Sequence, residues 1–347
     1  LITEISKQDI HSEYIIYLRE KRVIDFPNER DRFHYRVIPP KKFWTQWRLP
    51  LDLYLHHPRP NLFFTPGHYS PRWSPVPTVI SIMDLAFLKF PKVYQAAVLH
   101  QLKSWTAYSV KQASHIFAIS EHTKQDIIKY YGVKADNITV TYPGVHPRYR
   151  QAYSAGQIKP IVRKYNLPDK YFLFIGTRQP RKNLDRLIQA INRLPNANLV
   201  IVGKTWHQFR QDPERTCGEF SRTSRRVKVI ELGYMPDEDL PLLMLGSQAL
   251  VLPSLYEGFG IPVAEAMAVG TPVVVSSVSS LPEVVGDTGI LVDPLSVAGI
   301  TQGLRSVMSL SNQKRVQLIR AAQIRSQLFT WAKCAAKTLE VLHGLAF

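Results

Sequence analysis

The sequence predicts an α/β protein made of two β/α domains in tandem. Three observations carry this reading. The chain has 347 residues, more than one ordinary core needs and enough for two. Short apolar, β-rich runs such as Phe172-Leu173-Phe174-Ile175, Leu199-Val200-Ile201-Val202 and Val273-Val274-Val275 read as buried strands. Helical stretches alternate with such runs in both halves, the pattern of parallel sheets covered on both faces.

In the first half, residues 1–12 read as the remainder of a helix and 13–18 as a strand. A basic, aromatic-rich stretch follows over 30–48. Strands are expected at 62–64 and 76–83, the latter ending at Asp84, then a helix within 92–113 and a strand over 114–119. Ser120 is placed to cap a helix over 123–131, with Gly132 as its stop. A strand at 138–140 leads to the turn Tyr142-Pro143-Gly144-Val145. Residues 147–168 are polar and without sustained pattern, a linker with a short helix, so the domains are expected over 1–150 and 151–329.

After it the alternation restarts: strands at 171–175, 199–202, 227–232, 249–252 and 272–276, and helices at 183–194, 237–245 and 262–269. The last helix has Pro262 at its start and Gly270 just past its end. Phe329-Thr330-Trp331 opens a final helix over 330–347.

No apolar run is long enough to span a bilayer, and residues 1–20 carry charges throughout, with no signal-peptide core. Two distant cysteines, Cys217 and Cys334, argue against a disulfide framework or a cysteine-built zinc site and fit a reducing compartment. A cytoplasmic protein is therefore expected, peripheral on the cytoplasmic face of the membrane if it docks there. The net charge of +17 attracts phosphates, nucleic acids or an acidic membrane surface, or serves solubility alone. No nucleic-acid-binding module is recognisable, so nucleic acid is not an expected partner. Trp44, Trp47, Lys41 and Lys42 are the residues that would touch a membrane surface, or else the aromatics pack against a helix.

Two segments carry chemistry. In the first, the strand at 171–175 runs through Gly176-Thr177-Arg178-Gln179 into Pro180-Arg181-Lys182-Asn183 and a helix. That loop leaves the carboxyl edge of a sheet, where open α/β domains bind ligands, and a helix N-terminus adds donors and partial positive charge. With Arg181 and Lys182 it suits a diphosphate; the alternative is a basic loop in solvent. The second segment is Pro253-Ser254-Leu255-Tyr256-Glu257-Gly258-Phe259-Gly260-Ile261-Pro262-Val263-Ala264-Glu265. Gly258 and Gly260 permit close backbone approach to a ligand. Glu257 in the loop and Glu265 in about the first helical turn are carboxylates able to accept hydrogen bonds from sugar diols. Their alternatives are a solvated turn residue and a helix-dipole partner.

These residues resemble the family 4 retaining glycosyltransferases, which have two Rossmann-like domains facing a cleft, the GT-B fold, and include bacterial mannosyltransferases of polysaccharide assembly. The resemblance covers nearly the whole chain. Two glutamates with seven residues between them mark the donor site in that family, and Glu257 and Glu265 match. Pro180-Arg181-Lys182-Asn183 matches its phosphate loop. Ile119-Ser120-Glu121-His122-Thr123-Lys124 and Tyr142-Pro143-Gly144-Val145 match the end of its first domain. Leu281-Pro282-Glu283-Val284-Val285-Gly286-Asp287 and Leu291-Val292-Asp293-Pro294 match the stretch after the second glutamate.

The resemblance implies a nucleotide-sugar donor bound by the second domain, a glycan or lipid-linked acceptor bound by the first, and closure that excludes water. By it, Lys182 and Arg181 bind the diphosphate, Glu265 holds the ribose, and Glu257 with Gly258, Phe259, Gly260 and Ile261 orients the sugar. Arg178 joins the donor site, Asp84 and His68 fall on the acceptor side, and the final helix packs back on the first domain with Trp331 as an anchor. No metal or other cofactor is implied; Asp237-Glu238-Asp239 reads as the acidic start of a helix. GDP-mannose is the first donor expected, with UDP-glucose the alternative, and a non-catalytic nucleotide-sugar-binding relative the other. Three departures stand out. Thr177 replaces the arginine that follows the strand glycine in many members, and Met83-Asp84 replaces a His-Asp pair. The family's first strand and its Gly-rich turn would precede Leu1.

Overall fold

A computed structural model of the chain describes residues 1–20, 26–203 and 229–346. Part of the strand expected at 227–232, and Cys217, lie outside the described residues. The chain forms two compact units. The first comprises Leu1–Leu85, His100–Gly144 and Phe329–Phe347, the second Ala86–Leu99 and Val145–Leu328.

In chain order the elements are α1 (Ile2–Gln8), β1 (Tyr14–Leu18), β2 (Phe33–Val37), a π-helical turn (Trp44–Arg48) continuing into α2 (Leu49–Leu55), β3 (Phe63–Thr65) and β4 (Thr78–Ile82). Next come α3 (Ala86–Lys89), α4 (Ala96–Gln112), β5 (His115–Ala118), α5 (Glu121–Tyr131) and β6 (Ile138–Val140). The first unit holds a four-stranded parallel sheet, β3-β4-β5-β6, and a separate parallel pair, β1-β2. β4 is buried throughout because both its faces are covered. The Ser120 hydroxyl accepts from the Thr123 amide and Gly132 ends α5 in the left-handed region. Residues 30–48, a basic and aromatic-rich stretch with no element expected from the sequence, hold β2 and the π-helical turn. The alternating exposure of β2 gives no continuous apolar run to recognise.

α13 (Trp331–Ala346) groups with the first unit. Ala335 and Leu339 pack with Ile5, and the His343 imidazole lies 2.8 Å from the Asp9 carboxylate. A β-carbon on Gly144 would meet the Trp331 amide nitrogen at 2.1 Å, so only glycine lets the start of α13 lie on that turn. The buried Cys334 is a free thiol.

The second unit differs from the reading of 1–150 as one domain: residues 86–99 group with it. The reason is local packing, since the Phe90 ring lies 6.3 Å from that of Tyr256 and the Lys89 ammonium 4.6 Å over it. Its further elements are α6 (Ala155–Lys164), β7 (Phe172–Ile175), α7 (Leu184–Asn192), β8 (Leu199–Val202) and β9 (Val229–Gly233). They continue with α8 (Leu240–Gly246), β10 (Ala249–Leu252), α9 (Ile261–Val269), β11 (Val273–Ser276) and α10 (Leu281–Val285). β12 (Ile290–Val292), α11 (Val297–Met308) and α12 (Asn312–Ser326) complete the unit. The strands form one parallel sheet in the order β12-β11-β10-β7-β8-β9. From β7 the chain winds outward to β9, then crosses back and winds the other way from β10. The loops after β7 and β10 therefore diverge at the switch point of a Rossmann-like sheet, the place where such sheets bind ligands.

Candidate active site

Both chemistry-bearing segments leave the sheet at that switch point. Behind β7 the loop closes in a tight turn over Pro180–Lys182. Asn183 follows with left-handed φ of 62°, and α7 begins after it. Arg181 and Lys182 thus lie on a turn of their own just before the helix, not on its first residues. The amide of Asn183 donates to the Pro253 carbonyl at 2.9 Å and the Pro294 carbonyl at 2.6 Å. It pins the loops after β7, β10 and β12 together, which gives the Asn of Pro-Arg-Lys-Asn and the Asp293-Pro294 pair a shared structural task. The Leu255 amide donates to the Arg181 carbonyl at 2.7 Å, closing the same seam.

Glu257 sits where these loops meet and is buried. The Lys182 ammonium reaches its two oxygens at 2.6 and 2.9 Å, and the Arg181 guanidinium lies at 3.3 Å. Ser254 donates to it at 2.7 Å, and its own amide donates to the Ser279 hydroxyl at 2.9 Å. Burial alone would raise its pKa. The charges of Lys182 and Arg181, with the hydrogen bonds, outweigh burial and hold it below the usual carboxylate range. Arg181 is aimed by a relay: Gln179 donates to the Thr177 hydroxyl at 2.9 Å and accepts from Arg181 at 2.8 Å, while Arg181 also donates to the Tyr256 carbonyl at 2.8 Å. Gln179, Ser254 and Ser279 carry no distinct signal of their own in the sequence. Only their presence in or near the same two loops signalled them.

Glu265 occupies different surroundings. It is the fifth residue of α9 and so lies in the second turn, one turn later than expected. Gly260 precedes that helix with φ of 100°, and a β-carbon there would meet Leu281 at 2.6 Å, so glycine is required at this bend. α9 is apolar almost throughout: Val263, Ala264, Ala266 and Met267 are fully buried. Burial, and then the negative charge of Asp237, push Glu265 up to about 7. A hydrogen bond from Tyr149 and the charge of Arg148 oppose them. Asp237 was read as part of an acidic helix start; α8 begins later, at Leu240, and Asp237 pairs with Arg148 at 3.6 Å. Asp239 pairs with Lys164 at 2.6 Å. Neither Tyr149 nor Asp237 carried a sequence signal toward Glu265.

Gly258, Phe259 and Ile261 line the same loop, with the carbonyls of Glu257 and Phe259 both accepting from Ser280 at 3.0 Å. Arg178 is turned toward β9, where it pairs with Glu231. In the first unit, the His68 imidazole accepts from the Met83 amide at 3.0 Å, and burial lowers its pKa. His68 and Asp84 thus stand together at the end of β4. The Leu281–Asp287 motif is a latch: Arg325 of α12 donates to the Val284 and Glu283 carbonyls at 2.7 Å each. Among the described residues no helix is long and apolar enough to cross a membrane.

Comparison with known proteins agrees on the family. The model for "Glycosyltransferase Family 4" matches residues 5–149, and that for "Glycosyl transferases group 1" matches residues 158–325. The chain is 30% identical to the O-antigen chain mannosyltransferase B of Escherichia coli over 79% of its length and 68% of that protein. It is 31% identical to the serotype-specific mannosyltransferase WbdA of Escherichia coli, over 66% of this chain but only 29% of WbdA. Its fold matches Anabaena HepE, solved in complex with UDP and glucose, with a TM-score of 0.72 at 19% identity, covering 90% of this chain and 86% of HepE. The chain belongs to the family 4, group 1 glycosyltransferases and is a glycosyltransferase with two Rossmann-like domains.

Proposed function

We propose that this enzyme transfers mannose from GDP-mannose to a glycan or lipid-linked acceptor with retention of anomeric configuration. The observation that carries the reading is the Glu257–Lys182–Arg181 cluster at the switch point of the six-stranded sheet. Two full positive charges there suit a nucleoside diphosphate, whose leaving oxygen gains negative charge as the glycosidic bond breaks. Lys182 and Arg181 stabilise that charge, with no metal needed. Glu257 stands beside them to accept from sugar hydroxyls, exchanging part of its hold on Lys182 for the donor. Gly258, Phe259, Gly260 and Ile261 flank the sugar, Arg178 reaches the donor side only by leaving its ion pair with Glu231, and Glu265, when ionised, accepts from the ribose diol. The departing phosphate takes the acceptor proton on the same face, and acceptor contacts fall to Asp84 and His68.

The choice of mannose is supported by the names of the two Escherichia coli relatives. A thermal-shift panel of GDP-, UDP- and ADP-sugars tests it, since a donor that binds only the folded state raises the melting temperature. GDP-mannose should give the largest shift and then turn over with a lipid-linked or glycan acceptor in the presence of a chelator. A larger shift with UDP-glucose, or chelator-sensitive transfer, overturns those parts of the proposal.

A further inference from the structure

The helical run from Trp44 to Leu55 is apolar on two sides. Its inner face gives Leu49 and Leu53 to a core with Ile38, and Trp44 packs there while donating to the Ile38 carbonyl at 3.0 Å. Its outer face carries Trp47, Leu51, Tyr54 and Leu55, spaced one and two turns apart so that they form one stripe. These side chains are not covered: Trp47 is 64%, Leu51 54% and Leu55 68% exposed. Trp73, 56% exposed, extends the stripe through a ring contact with Trp47 at 5.4 Å, and Phe43, 60% exposed, begins it. Elsewhere in the described chain large exposed apolar residues are mostly scattered, which needs no explanation; a contiguous row does.

The segment that carries the row is almost uniformly basic. Residues 36–73 contain Arg36, Lys41, Lys42, Arg48, Arg59 and Arg72 against a single carboxylate, Asp52. Asp52 is buried and neutralised by Arg36 at 2.8 Å and Arg48 at 3.3 Å. The Lys42 ammonium lies 5.4 Å over the Phe43 ring and the Arg72 guanidinium 5.0 Å over that of Tyr108, so cations and aromatics are interleaved. Lys41 is paired with Glu20 at 2.7 Å, leaving Lys42 and Arg59 as exposed cations that bracket the row in sequence.

We infer that this face docks the first unit on an anionic phospholipid surface. Indole and phenol rings settle at the interface between headgroup and acyl chain, leucines enter just below it, and lysine and arginine meet lipid phosphates. A protein partner would also cover apolar rings, but the near-absence of free carboxylates over residues 36–73 is the complement of a uniformly negative plane. The inference does not depend on the sugar or the nucleotide, because the surface belongs to the first unit and its binding is measured without donor.

The test uses the full chain with mixed phosphatidylglycerol–phosphatidylcholine vesicles and with pure phosphatidylcholine vesicles, read by co-sedimentation and Trp fluorescence. The wild type should bind the mixed vesicles at least about tenfold better, and less so as salt rises. Trp47→Ala/Leu55→Ser should weaken binding about tenfold or more at every salt concentration. Lys42→Ala/Arg59→Ala should remove most of the salt-sensitive part. Both variants sit on the surface and should melt as the wild type does, with the same transfer rate on a water-soluble acceptor. Equal binding to the two vesicle types, no binding to either, or binding unchanged in both variants overturns the inference. So does a lipid-free dimer that Trp47→Ala dissociates, because a second copy would then be what covers the row.

Discussion

Glu257 and Glu265 belong to one motif and one loop-to-helix segment, yet they stand in opposite electrostatic settings. Glu257 is buried beside two cations, with Ser254, Ser279 and Ser280 as further polar partners, and it is held ionised. Glu265 is half-buried on an apolar helix beside another carboxylate, and its pKa is pushed up to about 7. The contrast teaches that motif spacing delivers both acids to the carboxyl edge of the sheet, while neighbours from elsewhere decide what each acid can do there. Glu257 is a fixed negative group among positive ones. Glu265 is a group whose charge changes near neutrality.

Removing a cation should break the first half of this contrast most severely. Lys182→Met takes away the closest charge on Glu257 and, in the proposed mechanism, one of the two on the diphosphate. Transfer should slow by about a thousandfold, measured as kcat with saturating donor. The same change leaves Glu257 buried with one cation, at a cost of about 3 kcal/mol in unfolding free energy. Because the folded pKa of Glu257 is depressed, its contribution to stability is present above the ordinary carboxylate range and is lost as pH falls through the folded value. Lys182→Met should flatten that acid limb in urea titrations.

Glu265→Gln tests the second half. If Glu265 holds the ribose as proposed, donor affinity in the wild type should rise as pH increases through about 7, because only a carboxylate accepts from both hydroxyls of a diol. The variant should bind about tenfold more weakly above that pH, and without the pH dependence. Stability moves oppositely. Folding holds this proton more tightly than the unfolded chain does, so the contribution of Glu265 is fully present below its ordinary 4.5 and is lost as pH rises to about 7. Glu265→Gln should remove that loss and melt higher than the wild type in alkaline buffer.

Smaller substitutions sharpen the comparison by moving the titration without deleting the acid. Asp237→Asn removes a neighbouring negative charge, the larger of the two influences, so the midpoint for donor binding should shift downward by about one pH unit. Tyr149→Phe removes a hydrogen bond that favours the charged form and should shift it upward by about half a unit. A midpoint indifferent to both would mean that Glu265 does not govern the pH dependence.

Much of this fold was legible because its signals are local. The apolar runs that became β7, β8, β10 and β11 lie on a sheet buried on both faces, so each strand reads as uninterrupted. Gly270 ends α9 and Ser120 caps α5 through bonds made within a few residues. β2 and α2 were not legible. One is half-exposed with mixed side chains, and the other shows apolar residues on two faces, which blurs the helical period. At the site, the placing of Arg181, Lys182 and Glu257 on converging loops followed from strand ends and loop chemistry. Arg178 was grouped with the donor residues from its loop alone, and its bond to Glu231 on β9 had no local trace.

By itself, then, the chain's order of residues determined two parallel-sheet domains, the punctuation of their helices, and a basic turn and two acids at the edge of the second sheet. These depend on periodicity, capping and backbone freedom, all of which act over a few residues. The tertiary structure alone decided that segment 86–99 packs with the second unit, that Asn183 pins three loops, and that one glutamate is held charged while the other is not. An electrostatic environment is a sum over neighbours in space, and folding brings Tyr149, Arg148 and Asp237 to Glu265 from segments that no local pattern connects.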